Sequence, residues 1–215
     1  MKRPAPDDPR LARLAAMLVD APVRVTSVPA DESAARHIDD ALTALPLLAD
    51  EPADASLADV GSGGGVPGLV LAVALPARPV TLIEATQRKA AQLVELAAAL
   101  DLDQVRVLAE RAEDLGRGAE RDVHGIVTAR ALAPPPVAAE LCLPLTRPGG
   151  LVVLYTGVVE RSALEVVAAA LAAAVESIEP VPGTARRHLV ALRKLGPTPD
   201  RFPRRAGVAA RRPLA

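Results

Sequence analysis

Residues 57–68 read Leu-Ala-Asp-Val-Gly-Ser-Gly-Gly-Gly-Val-Pro-Gly, and this segment constrains the fold more than any other. A short apolar run enters glycines at 61, 63, 64 and 65, and a second apolar run follows Pro67. Glycine lets a chain turn tightly and bring its backbone against a ligand. Proline in the first turn of a helix gives up no hydrogen bond. The segment predicts a strand over 57–60, a glycine turn and a helix over 67–75, which is the opening of a βαβ unit.

The alternation continues downstream. Strands are expected at 80–84, 105–108, 123–129 and 151–155, the last opened by the Pro-Gly-Gly turn at 148–150. Helices are expected at 87–100, 136–145 and, rich in alanine, at 159–174, with a short turn or helix at 112–116. Residues 175–181 and 187–192 read as a closing strand pair. Strands and helices alternating at this spacing imply an α/β fold, a mostly parallel seven-stranded sheet with helices on both faces. Upstream, 11–19 and 30–49 are helical patterns, the second capped by Asp31 and bent or ended at Pro46. The expected organisation is a helical extension over 1–50, the cofactor-binding domain over 51–195 and a basic tail over 196–215.

Composition removes several function classes. Cys142 is the single cysteine, so no internal disulfide can form, and with three scattered histidines it offers no metal cluster. No P-loop is present. No apolar run approaches the roughly 18 residues of a membrane span, and the start lacks a signal-peptide pattern, so the expected location is the cytoplasm. Charge is unevenly distributed. After Thr184 stand nine cations and one acid, Asp200, a balance of +8 in a chain whose net charge is −1. A basic tail on an acidic body either meets a polyanion or is a solvated terminus.

Two cofactor readings of the glycine loop compete. Gly63, Gly65 and Gly68 fit the dinucleotide pattern G-x-G-x-x-G. Asp59, two residues before Gly61, gives instead the acid-x-G-x-G-x-G shape typical of methyltransferases that use S-adenosylmethionine, whose cationic groups suit an acid. A pyrophosphate does not. Glu84, at the end of the second expected strand, can accept hydrogen bonds from ribose hydroxyls under either reading. Ala112 and Glu113 follow the third strand, where an adenine is normally held.

Longer segments resemble one family, the bacterial 16S ribosomal RNA guanine-N7 methyltransferases called RsmG or GidB. Arg36-His-Ile-Asp-Asp-Ala-Leu42 resembles its RHxLDSL stretch, and Asp59 to Leu69 its DVGSGxGxPGL. Arg111-Ala-Glu-Asp-Leu115 resembles RAEEL, and Val127 to Ala133 resembles VSRAVA. The ending is similar from Arg187 to Lys194 and through Thr198-Pro-Asp-Arg-Phe-Pro-Arg-Arg-Ala-Gly207 to Leu214. The resemblance implies a Rossmann-like class I fold, S-adenosylmethionine as cofactor, and small-subunit ribosomal RNA as partner. It implies that Gly61, Val66, Ala112, Glu113 and Arg130 contact the donor. Two departures stand out: Arg24-Val-Thr26 replaces Asn-Leu-Thr, and Tyr155-Thr-Gly157 lacks the family's Lys-Gly.

Methylation of guanine N7 needs no general base, because N7 carries a free lone pair, so no catalytic side chain is required. Arg130 and Tyr155 are candidates for positioning the substrate, Arg130 by pairing with a carboxylate or phosphate and Tyr155 by stacking on a base. Arg201, Arg204, Arg205, Arg211 and Arg212 are candidates for RNA contact, with Phe202 among them more of an anchor. The expectation is a monomer without metal. The alternatives are a methyltransferase of another RNA or a small molecule, or a non-catalytic donor- or RNA-binding assembly factor.

Overall fold

The computed structural model describes residues 8–19, 30–184 and 186–215. The Arg24-Val-Thr26 segment lies outside the described residues; Asp31 is the second residue of helix Ala30–Leu42, and its capping side chain is not among those described. The elements follow in the order α1 (Pro9–Val19), α2 (Ala30–Leu42), α3 (Leu45–Leu48), β1 (Leu57–Val60), α4 (Gly68–Ala74), β2 (Val80–Ile83) and α5 (Gln87–Ala99). Then come β3 (Val105–Leu108), α6 (Ala112–Leu115), β4 (His124–Arg130), α7 (Pro135–Cys142), a single 3₁₀ turn, and β5 (Thr146–Thr156). The chain closes with α8 (Arg161–Ala170), β6 (Ala173–Pro180), β7 (His188–Lys194) and α9 (Val208–Arg211).

The seven strands form one sheet in the order β3-β2-β1-β4-β5-β7-β6. β1 to β5 run parallel, and β7 is antiparallel to both β5 and β6. The chain moves outward from β1 to β3, then returns to place β4 on the other side of β1. The order therefore reverses between β1 and β4, and the crevice at their carboxyl ends is where open α/β sheets bind ligands.

Strand alternation sends side chains to two cores. Leu57, Leu82, Leu151 and Val153 pack with α1 to α5, where Leu14, Leu48, Leu69 and Leu93 are fully buried. Ala58, Val60, Val127, Val152 and Leu192 pack with α6 to α8 on the opposite face. The N-terminal helices thus share a core with the sheet. Both cores are almost wholly aliphatic, as the chain has no Trp, one Tyr and one Phe.

Three boundaries differ from expectation for physical reasons. The alanine run does not continue α8 to 174. Ala172 takes a left-handed φ of 54°, its carbonyl accepts the N–H groups of Leu195 and Gly196, and Ala173 pairs with Lys194 as the first residue of β6. Sheet pairing overrides alanine's helix propensity here. The Pro-Gly-Gly sequence lies inside β5 rather than before it, with a register shift against β4. The segment 51–56 before β1, which the sequence reads as a linker, is held by buried Arg78, whose guanidinium donates to the carbonyls of Glu51, Pro52 and Ala55.

The basic ending begins as a buried ion pair. Lys194 is fully buried, with Nζ donating to Asp122 Oδ1 at 3.0 Å, to the Leu143 carbonyl at 3.0 Å and to Thr198 Oγ1. Thr198 N–H donates to Asp122 Oδ2, closing the network and setting the direction in which the tail leaves β7. Removing one member of a buried pair strands the other. Lys194→Met should lower unfolding stability by about 3 kcal/mol in urea titration, and adding Asp122→Asn should recover part of that loss.

Candidate donor-binding site

The glycine loop leaves β1 at the switch point and is pinned from beneath. Asp59 is 1 % exposed; its Oδ2 accepts the N–H of Gly68 at 3.2 Å and its Oδ1 the hydroxyl of Thr128 on β4 at 2.9 Å. Ser62 Oγ donates to the Asp59 carbonyl at 2.8 Å. Gly61 has φ +70°, and a Cβ built there would come within 2.5 Å of Leu132 Cδ1, so a larger residue would take a strained backbone and displace the Leu132 side chain. Gly68 is equally enclosed, because a Cβ would lie 2.4 Å from Leu82 and 2.8 Å from Asp59 Oδ2.

Above the loop opens a cleft of about 330 Å³. Its polar wall carries Glu84, Glu110 and Glu113 against one cation, Arg111. Its apolar wall includes Ile83, Leu132, Val137, Leu141 and Ala209. Glu84 is firmly placed: Oε2 accepts the N–H of Gly63 at 3.0 Å and Oε1 that of Thr86 at 2.8 Å. Each oxygen keeps a lone pair for a ligand hydroxyl. A carboxylate for a diol, an apolar slot for a flat ring and a glycine backbone fit a nucleoside. The excess of carboxylates disfavours a pyrophosphate and favours a cationic ligand, which decides between the two readings of the glycine pattern.

The expected site residues separate into two groups. Gly61, Glu84, Ala112 and Glu113 all line the cleft, and Gly63 supports it through Glu84. Asp59 does not reach it, since it is buried beneath the loop and is absent from the cleft wall. Val66 packs in the core beside Leu69 instead of on the cleft wall. Arg130, on the α2-facing side of β4, donates to Asp40 Oδ2 and to His37 Nδ1, each at 3.2 Å, and Asp40 also pairs with Arg187 at 2.7 Å. Tyr155 requires correction. It is 7 % exposed, its hydroxyl donates to the Ala41 carbonyl at 2.7 Å, and its ring fills the core between β5 and the N-terminal helices, so it is not free to stack on a base.

The tail is also corrected in part. Arg204 is not a free cation, because it forms a bidentate pair with Glu140, which is 2 % exposed. Arg201 lies over the Phe202 ring at 5.2 Å, and Phe202 is buried as an anchor. Arg205, Arg211 and Arg212 are exposed. Sequence reasoning missed Leu132, Val137 and Leu141, which have no local signal beyond following β4. It also missed Gly207, Ala209 and Ala210, which reach the cleft from the far end of the chain. Among the described residues no cluster of His, Cys, Asp or Glu is placed to hold a metal ion, and no helix is long and apolar enough to cross a membrane.

The model of the GidB family, described as rRNA small subunit methyltransferase G, matches residues 22–190. This chain belongs to the GidB family. A relative from Chloroflexus aggregans, named ribosomal RNA small subunit methyltransferase G, is 46% identical over 189 residues, covering 83% of this chain and 77% of that one. A relative of the same name from Sorangium cellulosum is 46% identical over 176 residues, covering 79% and 71%. Among solved structures, a mutant of MtNAS in complex with S-adenosylmethionine superposes with a TM-score of 0.60 at 14% identity, covering 87% of this chain and 72% of that one. A precorrin-6y C5,15-methyltransferase from Geobacter metallireducens gives 0.53 at 13% identity, covering 72% and 87%. These structures share the class I methyltransferase fold with the GidB chain described here.

Burial pushes the Asp59 carboxyl up from 3.8 to about 6, although Thr128 and the Gly68 N–H favour its charged form. A raised folded-state pKa means that stability is fully present below pH 3.8 and is lost as pH rises through about 6. Asp59→Asn removes this loss and keeps an acceptor for Gly68. Relative to the parent chain, its unfolding free energy should therefore rise between pH 4 and pH 7, by up to about 3 kcal/mol. A flat difference across that range would show that Asp59 is not the group titrating.

Proposed function

We propose that this chain transfers a methyl group from S-adenosylmethionine to N7 of one guanine in 16S ribosomal RNA. Its class is that of its family: an S-adenosylmethionine-dependent methyltransferase acting on small-subunit ribosomal RNA. The guanine, the N7 position and the residue roles are our reading. The observation that carries it is the carboxylate-walled nucleoside cleft at the β1/β4 switch point.

The sulfonium donor supplies an activated methyl group when bound. The chain's own residues have to bind, orient and exclude water. In this reading Glu84 accepts the ribose hydroxyls, Gly61 and Gly63 present backbone to the donor, and Ala112 and Glu113 border the adenine. Val66 supports the loop from the core. Asp59 acts indirectly, by fixing the loop. Arg130, which pairs with Asp40 and His37 on α2 and does not line the cleft, is our candidate for meeting the donor's carboxylate or an RNA phosphate at the sheet edge. Guanine N7 has no proton to lose, so alignment at about 3 Å between reacting atoms does most of what catalysis requires. This suits a cleft with no nucleophile or base at its centre. Arg201, Arg205, Arg211 and Arg212 meet RNA phosphate. In this reading the protein is a monomer without metal that works in the cytoplasm, where small subunits are assembled.

Incubating the protein with labelled S-adenosylmethionine and undermethylated small subunits should label a single guanine, at N7. Glu84→Ala should raise the donor Kd at least tenfold, as expected for losing a charged hydrogen-bond acceptor. Label at another base, or only in small molecules, would overturn the assignment. For the RNA contact, Arg205→Gln with Arg212→Gln should weaken RNA binding and reduce the log–log salt slope by about 1.5, each phosphate contact contributing roughly 0.7 to 0.9. An unchanged slope would place the RNA elsewhere.

A further inference from the structure

The tail that the sequence presents as an RNA-binding arm lies on the cleft. Gly207 N–H donates to Glu113 Oε1 at 2.9 Å, joining the end of the chain to the segment after β3. Gly207, Ala209 and Ala210 line the same cleft as Gly61 and Glu84. Ala209 is 3 % exposed. None of the three carries a side chain beyond Cβ, so together they offer a smooth apolar wall without filling the space. Gly207 has φ +73°, a left-handed conformation that glycine takes without strain and that turns the chain into α9.

This placement is held by many fixed contacts. Arg204 forms two charge-assisted bonds to buried Glu140 on α7, an arrangement that is specific in geometry. Its third nitrogen donates to the Arg212 carbonyl at 2.8 Å, closing α9 into a loop. Upstream, Arg117 donates twice to the Pro203 carbonyl, and Arg121 donates to the carbonyls of Thr198, Pro199 and Phe202. Phe202 is sunk in the core beneath. Body arginines thus grip the tail's backbone, and the tail's one inward arginine grips the body.

We propose that Gly207, Ala209 and Ala210 contact the nucleoside of the bound donor, so that the C-terminal segment is a wall of the donor site, latched by Arg204 and Glu140. This rests on reading the cleft as the donor site. Whatever binds against the wall binds only the docked tail, so donor binding and tail docking stabilise each other. The arginines beside the wall, Arg205, Arg211 and Arg212, face outward and leave the inner surface uncharged.

The test uses S-adenosylhomocysteine and the full chain. Ala210 is exposed, so Ala210→Trp should leave unfolding stability nearly unchanged while its indole occupies the cleft. Calorimetry should show at least a tenfold rise in Kd for Ala210→Trp. In the parent chain, saturating ligand should slow amide exchange at least tenfold at Gly207, Arg211 and Arg212, whose N–H groups bond Glu113, Gly207 and Val208, with no comparable change in α8. If the parent binds the ligand and either response is missing, the tail wall is wrong and the cleft reading stands. If the parent does not bind, the cleft reading fails, and the tail proposal fails with it.

Discussion

A buried carboxylate between β1, β4 and α4 determines where everything else in the site can be. Asp59 accepts one hydrogen bond from the first residue of α4 and one from Thr128 on the neighbouring strand. The glycine turn between them is thereby fixed at both ends, with the N–H groups of Gly61 and Ser62 on the Ile83 carbonyl and that of Gly63 on Glu84. Desolvating an acid is unfavourable, as its raised pKa shows, and the hydrogen bonds offset only part of the cost. The acid of the methyltransferase pattern thus shapes the loop from beneath it. Glu84 both bonds the loop and lines the cleft, which is why the proposed donor contact falls to it.

The same economy governs the positive charge. An acidic body with a basic ending suggests an arm reaching for a polyanion, yet the nearest polyanion is the body itself. Lys194 pairs with Asp122, Arg193 with Glu51 and Glu176, Arg187 with Asp40, and Arg204 with Glu140. Glu176 draws the Arg193 pKa up and its own is drawn down. These pairs tie β7, the residue before it and the tail to five separate parts of the fold. Arg201, Arg205, Arg211 and Arg212 stay exposed on the last fifteen residues, so a local group of cations remains there although net charge alone shows almost none.

How far the sequence could be read follows from how local each signal was. The βα alternation is a matter of periodicity and glycine turns, and the mostly parallel seven-stranded sheet built on it is as expected. Gly61, Glu84 and Ala112 lie on the cleft because strand ends in such a sheet converge by topology. Tyr155 and Arg204 were misread because residue type says what a side chain can do, not which partner it finds first. The Ala41 carbonyl lies 114 residues from Tyr155, and Glu140 lies 64 from Arg204. The alanine run failed for a related reason, since its helix propensity could not reveal that Lys194 would be waiting to pair with Ala173. Leu132, Ala209 and Ala210 were invisible because apolar lining residues look the same as core.

In the reaction proposed above, that invisibility has a physical source. A nucleophile with its own lone pair and a donor already activated would leave the protein little to do but hold two molecules at the right separation and keep water out. Such a task is carried by shape. It is met by backbone turns, by a carboxylate or two and by walls of small residues, the materials an Ala-, Val- and Leu-rich chain has in quantity. Ala131, just past β4 in the cleft, holds a left-handed φ of 54°, a conformation costly for alanine. Strain there persists only because β4 and the packed loop around Leu132 over-determine it. A site made this way depends on rigidity at its edges, and so the long-range pins at Asp59 and at Arg204 matter more to it than any single group inside the cleft.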